Sequence, residues 1–332
     1  MRQNLIDIAK RFSGRRIMII GDMIADVYLH GDISRISREA PVLVLIESAE
    51  KTVAGGAANV VNNVATLGGS AFAAGILGDD KGADGLSDIL GENGVDLRGV
   101  FRDSSRRTIT KTRIIAGGRA TVSQQVVRID RECSDPLSPS YEKKLLEYIE
   151  KILPQMQGVV MSDYGSGTIT PKVRELILSI SKHCGIPSIV DSRYSITDFA
   201  GTDYIKQNDA ELAQAVGCTD VIRSEDELHR AAEKFLQRMQ AKGVLVTRGE
   251  KGMMLFEADG SVHNIPVEDK SEVFDVSGAG DTCVAAFITA LAAGAAPRQA
   301  AEISNFASGI AVRKMGTATV SQAELDGVLK KF

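Results

Sequence analysis

Short apolar runs alternate with longer amphipathic stretches along most of this 332-residue chain. The run from Arg16 to Asp22 predicts a buried strand, and residues 57–67, closed by Gly68 and Gly69, predict a helix with glycine at its C-cap. The same signals predict strands over 72–77, 158–162, 186–190, 203–206 and 243–247, and helices over 80–93, 171–184, 224–241, 278–293 and 297–314. Strands that alternate with helices are typical of βαβ units, so the sequence predicts an α/β fold with a mostly parallel sheet.

Two segments depart from this alternation. Residues 27–53 and 108–132 are rich in β-branched side chains with alternating polar positions, and Gly117-Gly118 splits the second segment into a hairpin. Such strands need one dry face, which a four-stranded sheet over a cleft, or pairing with a second copy of the chain, would supply. We interpret the two segments as a lid, with an antiparallel extension of the main sheet as the alternative. Residues 244–267 predict a β-meander.

Charge and composition exclude several classes of protein. The 39 basic and 43 acidic residues give a net charge of -4, so no nucleic-acid or anionic-membrane partner is expected. No apolar run is long enough to span a membrane, no secretory signal is present, and a cytoplasmic location is expected. The four cysteines and four histidines are scattered, which disfavours a zinc site, a disulfide framework and a catalytic triad.

The segment from Asp275 to Thr282 carries the strongest chemical signal. It places Gly278, Ala279 and Gly280 at the start of an apolar helix, where free backbone amides and the helix dipole favour an anion. Asp281 follows directly, so its carboxylate is a candidate base for a hydroxyl that attacks a phosphoryl group. A tight turn with a capping carboxylate is the alternative.

Two further clusters are suited to a polyol. Gly55 and Gly56 precede a helix on which Asn59 can bind a sugar hydroxyl, because glycines permit close approach of a ligand. Asp22 and Asp26 follow the first strand, where ligands of open α/β sheets bind, and two carboxylates can chelate vicinal hydroxyls. A helix packed closely on the sheet, and ordinary loop or capping aspartates, are the alternatives.

Two motifs follow later strands. Asn208 and Glu211, three residues apart, can orient waters on Mg²⁺, and the turn at Thr247, Gly249 and Gly252 can receive a nucleotide. Capping boxes and hairpin turns produce similar strings. No Walker A loop and no Gly-x-Gly-x-x-Gly opening of the first helix is present.

Taken together and in this order, these residues resemble the ribokinase, or PfkB, family of carbohydrate kinases. Residues 54–68 are similar to the family's first signature and residues 275–288 to its second, and the resemblance covers nearly the whole chain. It implies a ribokinase-like three-layer α/β/α fold over residues 1–332, with lid segments at 27–53 and 108–132. It also implies a sugar kinase that uses ATP and Mg²⁺ and forms a homodimer through its lid.

The resemblance further implies roles for individual residues. Asp281 matches the catalytic aspartate, and Gly278, Ala279 and Gly280 match the anion hole. The remaining matches are Asp26, Gly55, Gly56 and Asn59 for the sugar; Glu211, with Asn208 through water, for Mg²⁺; and Asn208, Thr247, Gly249, Gly252, Asn305 and Arg193 for the nucleotide.

A narrower likeness is to the heptose kinases of ADP-heptose synthesis, which phosphorylate the anomeric hydroxyl of D-glycero-D-manno-heptose 7-phosphate. It rests on residues 35–42, 162–167 and 314–321. A phosphorylated substrate needs a second cationic pocket, and Lys111, Arg113 and Arg128 on the lid hairpin are its candidates, with a polar outer hairpin face as the alternative.

The chain departs from the heptose kinase pattern at two places. Asp191-Ser192-Arg193 stands where Asp-Pro-Lys is usual, and Lys206-Gln207 stands where Thr-Pro is usual. No His-x-Gly-His occurs, so the kinase half alone is expected. A kinase of free fructose or ribose, and a catalytically silent binding module, remain the rival interpretations.

Overall fold

The computed structural model describes residues 2–118, 121–133, 135–218, 222, 224–267 and 273–331. Within them one large sheet and one small sheet form. The strands of the large sheet are β1 (Arg16–Gly21), β4 (Ser70–Leu77), β5 (Asp96–Arg102), β8 (Gly158–Asp163), β9 (Ser188–Ser192), β10 (Tyr204–Asn208), β11 (Gly243–Thr247), β12 (Met253–Glu257) and β13 (Val262–Ile265). Those of the small sheet are β2 (Met23–Ile36), β3 (Leu43–Gly56), β6 (Ile109–Gly118) and β7 (Thr121–Arg131).

Helices cover both faces of the large sheet. In the described residues they are α1 (Arg2–Lys10), α2 (Ala57–Thr66), α3 (Lys81–Glu92), α4 (Pro139–Ile152), α5 (Pro171–Cys184), α6 (Asp209–Ala215), α7 (Glu225–Met239), α8 (Ala279–Ala292), α9 (Pro297–Ala311) and α10 (Gln322–Lys331). Strand β1 shows why two layers are needed, because its alternate side chains enter different cores. Ile17 and Ile19 belong to the core with α2, α8 and α9, whereas Met18 and Ile20 belong to the core with α4, α5 and α7.

The strand order places the carboxyl ends of β1 and β8 side by side at the switch point of the large sheet. The order is β13-β12-β11-β10-β9-β8-β1-β4-β5, parallel from β5 to β11, with the predicted antiparallel meander at β11 to β13. The chain therefore runs in one direction from β1 to β4 and β5, and in the other from β8 onward. Ligands of doubly wound sheets collect at such a point.

The small sheet is separate from the large one, as the lid interpretation predicts. Its order is β3-β2-β6-β7, and two antiparallel hairpins are joined by a parallel pairing of β2 with β6. The strands reach further than predicted, since β2 begins at Met23 and β3 ends at Gly56. The α/β class with a small accessory sheet is confirmed.

Several elements were not predicted from periodicity, namely α1, α4, α6, α10 and β5. Helix α6 is short and α10 has little apolar patterning, so neither gives a strong periodic signal. None of the helices in the described residues has both the length and the hydropathy that are needed to span a membrane.

Candidate active site

The N-terminus of α8 is the centre of the candidate site. Gly278 has a left-handed backbone with φ of 77°, and a Cβ there would lie 2.6 Å from Asn59 Nδ2, so the turn requires glycine. The first amides of a helix lack intrahelical acceptors and favour an anion. The amide of Ala279 donates to the Val276 carbonyl at 3.2 Å. Among the described residues, the amides of Gly278 and Gly280 have no such acceptor, so these two are better placed to bind an anion in the predicted anion hole.

Asp281 is buried in the first turn of α8, and both of its carboxylate oxygens accept a hydrogen bond. Asn59 Nδ2 donates to Oδ2 at 2.8 Å, and the Tyr164 hydroxyl donates to Oδ1 at 3.0 Å. Burial raises the pKa of Asp281 to about 6, the bonds from Asn59 and Tyr164 act against that rise, and the charge of Asp191 adds to it. A carboxylate with this pKa is ionised at neutral pH and is suited to accept a proton.

Lys206 lies beside this helix start. Its Nζ is 2.9 Å from Asp191 Oδ2, and a Cβ at position 280 would approach Nζ to 2.8 Å, so Gly280 makes room for the ammonium group. Burial alone would lower the pKa of Lys206, but Asp191 and Glu211 hold it above its ordinary value. The group is therefore a buried cation at the anion hole.

Two cavities meet at Lys206 and Gly280, which line both. The larger has a volume of about 960 Å³ and includes, among its walls, five residues of the predicted nucleotide set: Asn208, Thr247, Gly249, Gly252 and Asn305. Its size is that of a site for a drug-sized ligand or cofactor. The smaller, about 170 Å³, is lined by Asp281, Gly278, Tyr164, Asp163, Asp191, Glu211 and Arg193. Asp281 thus faces the space next to the larger cavity.

Two wall elements of the larger cavity are fixed by backbone contacts. The Gly252 amide donates to the Gly249 carbonyl at 3.0 Å, both glycines have positive φ, and a Cβ at Gly252 would overlap the Ile265 carbonyl. Asn305 Nδ2 donates to the Pro266 carbonyl at 2.8 Å. The turn and the asparagine predicted for the nucleotide therefore lie together in one wall.

Asn208 and Glu211 form a reciprocal capping box at the start of α6. The Glu211 amide donates to Asn208 Oδ1 and the Asn208 amide donates to Glu211 Oε2, each at 2.8 Å. The two residues thus form the capping box that was the alternative to a magnesium motif. Asn208 nevertheless lines the larger cavity, and Glu211 lines the smaller one. No group of three or more acidic, histidine or cysteine side chains suited to a metal occurs in the described chain.

The sugar-side residues are brought together by β2, β3 and β6. The Asp26 carboxylate accepts from Arg113 Nη1 at 2.7 Å and from Thr317 Oγ1 at 2.8 Å. A Cβ at Gly55 would lie 2.6 Å from Asp26 Oδ2, so this glycine permits the close approach of the carboxylate. Gly56, with φ of 54°, begins the turn into α2 that positions Asn59.

Asp22 has a different role from the one predicted. It is fully buried, and its carboxylate accepts three backbone amides of the loop after β8, from Tyr164, Ser166 and Thr168, at 2.8 to 3.2 Å. With its oxygens committed to amides, Asp22 fixes this loop and does not pair with Asp26 as a chelate for vicinal hydroxyls.

The predicted cationic residues are distributed over three environments. The ammonium of Lys111 lies 5.3 Å from the centre of the Tyr164 ring, whereas Arg128 pairs with Asp130 on its own exposed strand. Arg113 is committed to Asp26. Arg193, grouped by sequence with the nucleotide, lines the smaller cavity beside Asp281 instead.

Tyr164, Asp191, Lys206 and Thr317 are site residues for which the sequence analysis proposed no role. Tyr164 follows β8, and Asp191 and Lys206 lie near the carboxyl ends of β9 and β10. Because ligand sites form at the carboxyl ends of parallel strands, their position was the available signal. Thr317 follows no strand, and its place in the 314–321 segment was the signal available for it.

The model of the pfkB family of carbohydrate kinases matches residues 15–324. The chain belongs to the pfkB family. As a member of this family it is a phosphotransferase that acts on a sugar hydroxyl.

Curated relatives of this pfkB kinase include two proteins named bifunctional protein HldE. The one from Geotalea uraniireducens is 39% identical over 325 residues, which are 98% of this chain and 65% of the relative. The one from Azorhizobium caulinodans is 41% identical over 317 residues, 95% of this chain and 64% of the relative. The chain thus spans about two thirds of the length of these proteins.

Solved structures of low sequence identity share the fold. Phosphofructokinase-2 from Escherichia coli, in complex with substrates and products, superposes with a TM-score of 0.75 at 20% identity, covering 96% of this chain and 99% of that chain. Ribokinase from Arabidopsis thaliana, complexed with ribose and ATP, gives 0.73 at 19% identity and the same coverage. The ribokinase-like fold of this pfkB kinase is confirmed.

Proposed function

We propose that this sugar kinase transfers the γ-phosphate of ATP, with Mg²⁺, to the anomeric hydroxyl of D-glycero-D-manno-heptose 7-phosphate. The observation that carries the proposal is the position of Asp281, buried at the N-terminus of α8 where the two cavities meet. The larger cavity would hold ATP between the Thr247 to Gly252 turn and Asn305. We further propose that residues 1–332 act as one kinase domain, with 27–53 and 108–132 as its lid.

In the proposed reaction, Asp281 accepts the proton of the sugar hydroxyl as the hydroxyl oxygen attacks the γ-phosphorus in line. The bond from the γ-phosphorus to the β,γ-bridging oxygen breaks opposite the attacking oxygen, and ADP leaves. The amides of Gly278 and Gly280 and the ammonium of Lys206 stabilise negative charge on the phosphoryl oxygens. Mg²⁺ usually keeps most of its water ligands and needs only one or two protein carboxylates. Glu211, with Asn208 through a water molecule, would therefore hold Mg²⁺. The cation would neutralise charge on the phosphates.

The heptose phosphate is favoured over a free sugar by three observations. The relatives named HldE align over nearly all of this chain. The heptose kinase motifs at 162–167 and 314–321 contribute Tyr164 and Thr317 to the site. Lys111 is a cation on the small sheet that, among the described residues, is in no ion pair, and it lies beside Tyr164 next to the smaller cavity.

The test is ADP release with Mg-ATP against heptose 7-phosphate, fructose, ribose and fructose phosphates. We expect turnover with heptose 7-phosphate and a loss of about 10²- to 10⁴-fold in Asp281→Asn, the usual effect of losing a general base. Turnover confined to a free sugar would overturn the substrate and keep the mechanism. Sugar binding by calorimetry without ADP release would favour the silent binding module.

We also propose that the chain forms a homodimer through the small sheet. Alternation along β7 places Val127 and Ile129 on the face opposite Arg128, and both are exposed. Ile33, Ile36 and Leu43 on the neighbouring hairpin are exposed too, and the strand pairing places them on the same face. An apolar face of this extent on a soluble monomer calls for a cover, and a second copy of the same sheet would supply it.

A further inference from the structure

Tyr164 connects the loop after β8 to the proposed base. Its hydroxyl donates to Asp281 Oδ1 at 3.0 Å, and the half-buried side chain lies between the smaller cavity and Lys111 of the small sheet. Its backbone amide donates to Asp22 Oδ2 at 2.8 Å, and the same carboxylate accepts the amides of Ser166 and Thr168. The phenol therefore extends from a loop whose backbone is fixed on both sides of it.

We propose that Tyr164 is a positioning residue for phosphoryl transfer, whose hydroxyl holds the Asp281 carboxylate in the orientation and charge state that accept the proton of the sugar. This inference rests on the proposed function. Asn59 holds the second oxygen at 2.8 Å, so the two donors together define the plane of the carboxylate. Each oxygen keeps a further lone pair with which to receive the attacking hydroxyl.

The charges around the smaller cavity explain why the Asp281 carboxylate needs a neutral hydrogen-bond donor to stay ionised. Asp281 faces Asp191 and Lys206 directly, and the smaller cavity also contains Asp163, Glu211 and Arg193. Burial and the charge of Asp191 favour the protonated acid, whereas the donors favour the carboxylate.

Tyr164 is suited to remain a donor at every working pH. Burial and the nearby carboxylates raise the pKa of its phenol well above the ordinary value, so the hydroxyl keeps its proton. Lys111 lies over the ring from β6, so the small sheet touches the residue that holds the base.

The test compares Tyr164→Phe with wild type in the dependence of kcat on pH. Without the hydroxyl, we expect the acid limb of the profile to move up by about one pH unit. The loss is then about fivefold at pH 6 and nearly absent at pH 8.5, with KM for ATP unchanged, because only the ionised fraction of Asp281 has fallen. A uniform loss at all pH values, or an unchanged profile, would overturn the proposal.

The matched control is Tyr148→Phe. Tyr148 is half-buried on α4, and its hydroxyl has no hydrogen-bond partner among the described residues, so its removal should leave the profile unchanged. Thermal unfolding of both variants checks that they fold.

A second measurement is independent of any substrate. The carboxyl ¹³C resonance of Asp281, assigned by its loss in Asp281→Asn, should titrate about one pH unit higher in Tyr164→Phe than in wild type. An unshifted titration overturns the inference even if no sugar is turned over. Absence of turnover in wild type together with a shifted titration would overturn the proposed function and keep the positioning role.

Discussion

The carboxylate of Asp281 lies at the N-terminus of a helix, between a buried cation and two neutral donors. Each neighbour comes from a different part of the chain: Asn59 from α2, Tyr164 from the loop after β8, and Lys206 from β10. Removing any of them changes either the charge of Asp281 or the field at the anion hole. Contributions to catalysis at this site are therefore expected to depend on one another.

Lys206 offers a direct test of that dependence. In Lys206→Met we expect kcat to fall on the order of 10²-fold, because a preorganised cation at the phosphoryl oxygens is lost. The acid limb of the pH profile should also move up, since the variant leaves Asp191 unpaired near Asp281. Steady-state kinetics from pH 5.5 to 9 measure both effects.

The matched control for this variant is Lys242→Met, which breaks another lysine–aspartate pair. Lys242 Nζ is 2.9 Å from Asp203 Oδ1 at an exposed position away from the site, so kcat should be unchanged. Equal losses in the two variants would show that Lys206 acts only on stability.

Individual site residues could be predicted from the sequence where the residues next to them in the chain indicate their role. Asp281 and the glycines before it could be recognised because a turn, a helix start and a carboxylate follow one another within a few residues. The contacts of Tyr164 and Thr317 could not be recognised, because their partners are 117 and 291 residues away in sequence. The role of Asp22 could not be recognised for the same reason, since the amides that donate to its carboxylate lie more than a hundred residues further along the chain.

Strands and helices place these residues at one edge of the large sheet. Most of the predicted elements were found, because strands such as β1 and β8 contain short, almost fully buried apolar runs and helices such as α5 and α7 have defined N-caps. The pairing of β2 with β6 could not be predicted. Hairpins are encoded by their turns, whereas a parallel pairing between two hairpins has no local signal.

The small sheet should determine whether a substrate phosphate is recognised. In Lys111→Met we expect KM for heptose 7-phosphate to rise about 10- to 100-fold, the effect of losing a charged hydrogen bond, with little change for an unphosphorylated sugar. Arg128→Met should raise KM less, because Arg128 is already paired with Asp130. Equal KM values for Lys111→Met and wild type would place the phosphate elsewhere.

The outer face of the same sheet should determine the oligomeric state. Ile129→Lys and Ile33→Lys each put a charge into the proposed apolar interface, so sedimentation velocity should show a wild-type dimer and largely monomeric variants. Val262→Lys, at an exposed apolar position on the edge strand β13, is the control and should remain dimeric. A monomeric wild type would contradict the proposed interface.

On the scale of the whole molecule, one buried carboxylate contributes to the pH dependence of stability. The pKa of Asp281 is about 6 in the folded chain against an ordinary value of 3.8, so the folded state binds the proton more tightly. Its contribution to the free energy of unfolding is fully present below pH 3.8 and is lost as the pH rises through about 6.

The variant Asp281→Asn has no such titration. Relative to wild type, its free energy of unfolding should therefore rise by roughly 2.5 kcal/mol between pH 4 and pH 7.5, which is most of what the full shift contributes at about 1.4 kcal/mol for each pKa unit. Urea unfolding of both proteins at the two pH values measures this difference. A difference that is constant with pH would mean that the carboxyl group is not perturbed.

The carboxylate of Asp26 is completed by Arg113 and Thr317, which are 87 and 291 residues distant along the chain. Contacts of such separation close long loops and form slowly, after local helices and hairpins. A nascent chain that has emerged only as far as β5 contains the first glycine cluster and all of helix α2, but neither partner of this carboxylate. The sugar side of the pocket is thus among the last parts of the molecule to assemble, and a partly synthesised chain has no finished place in which to hold a substrate.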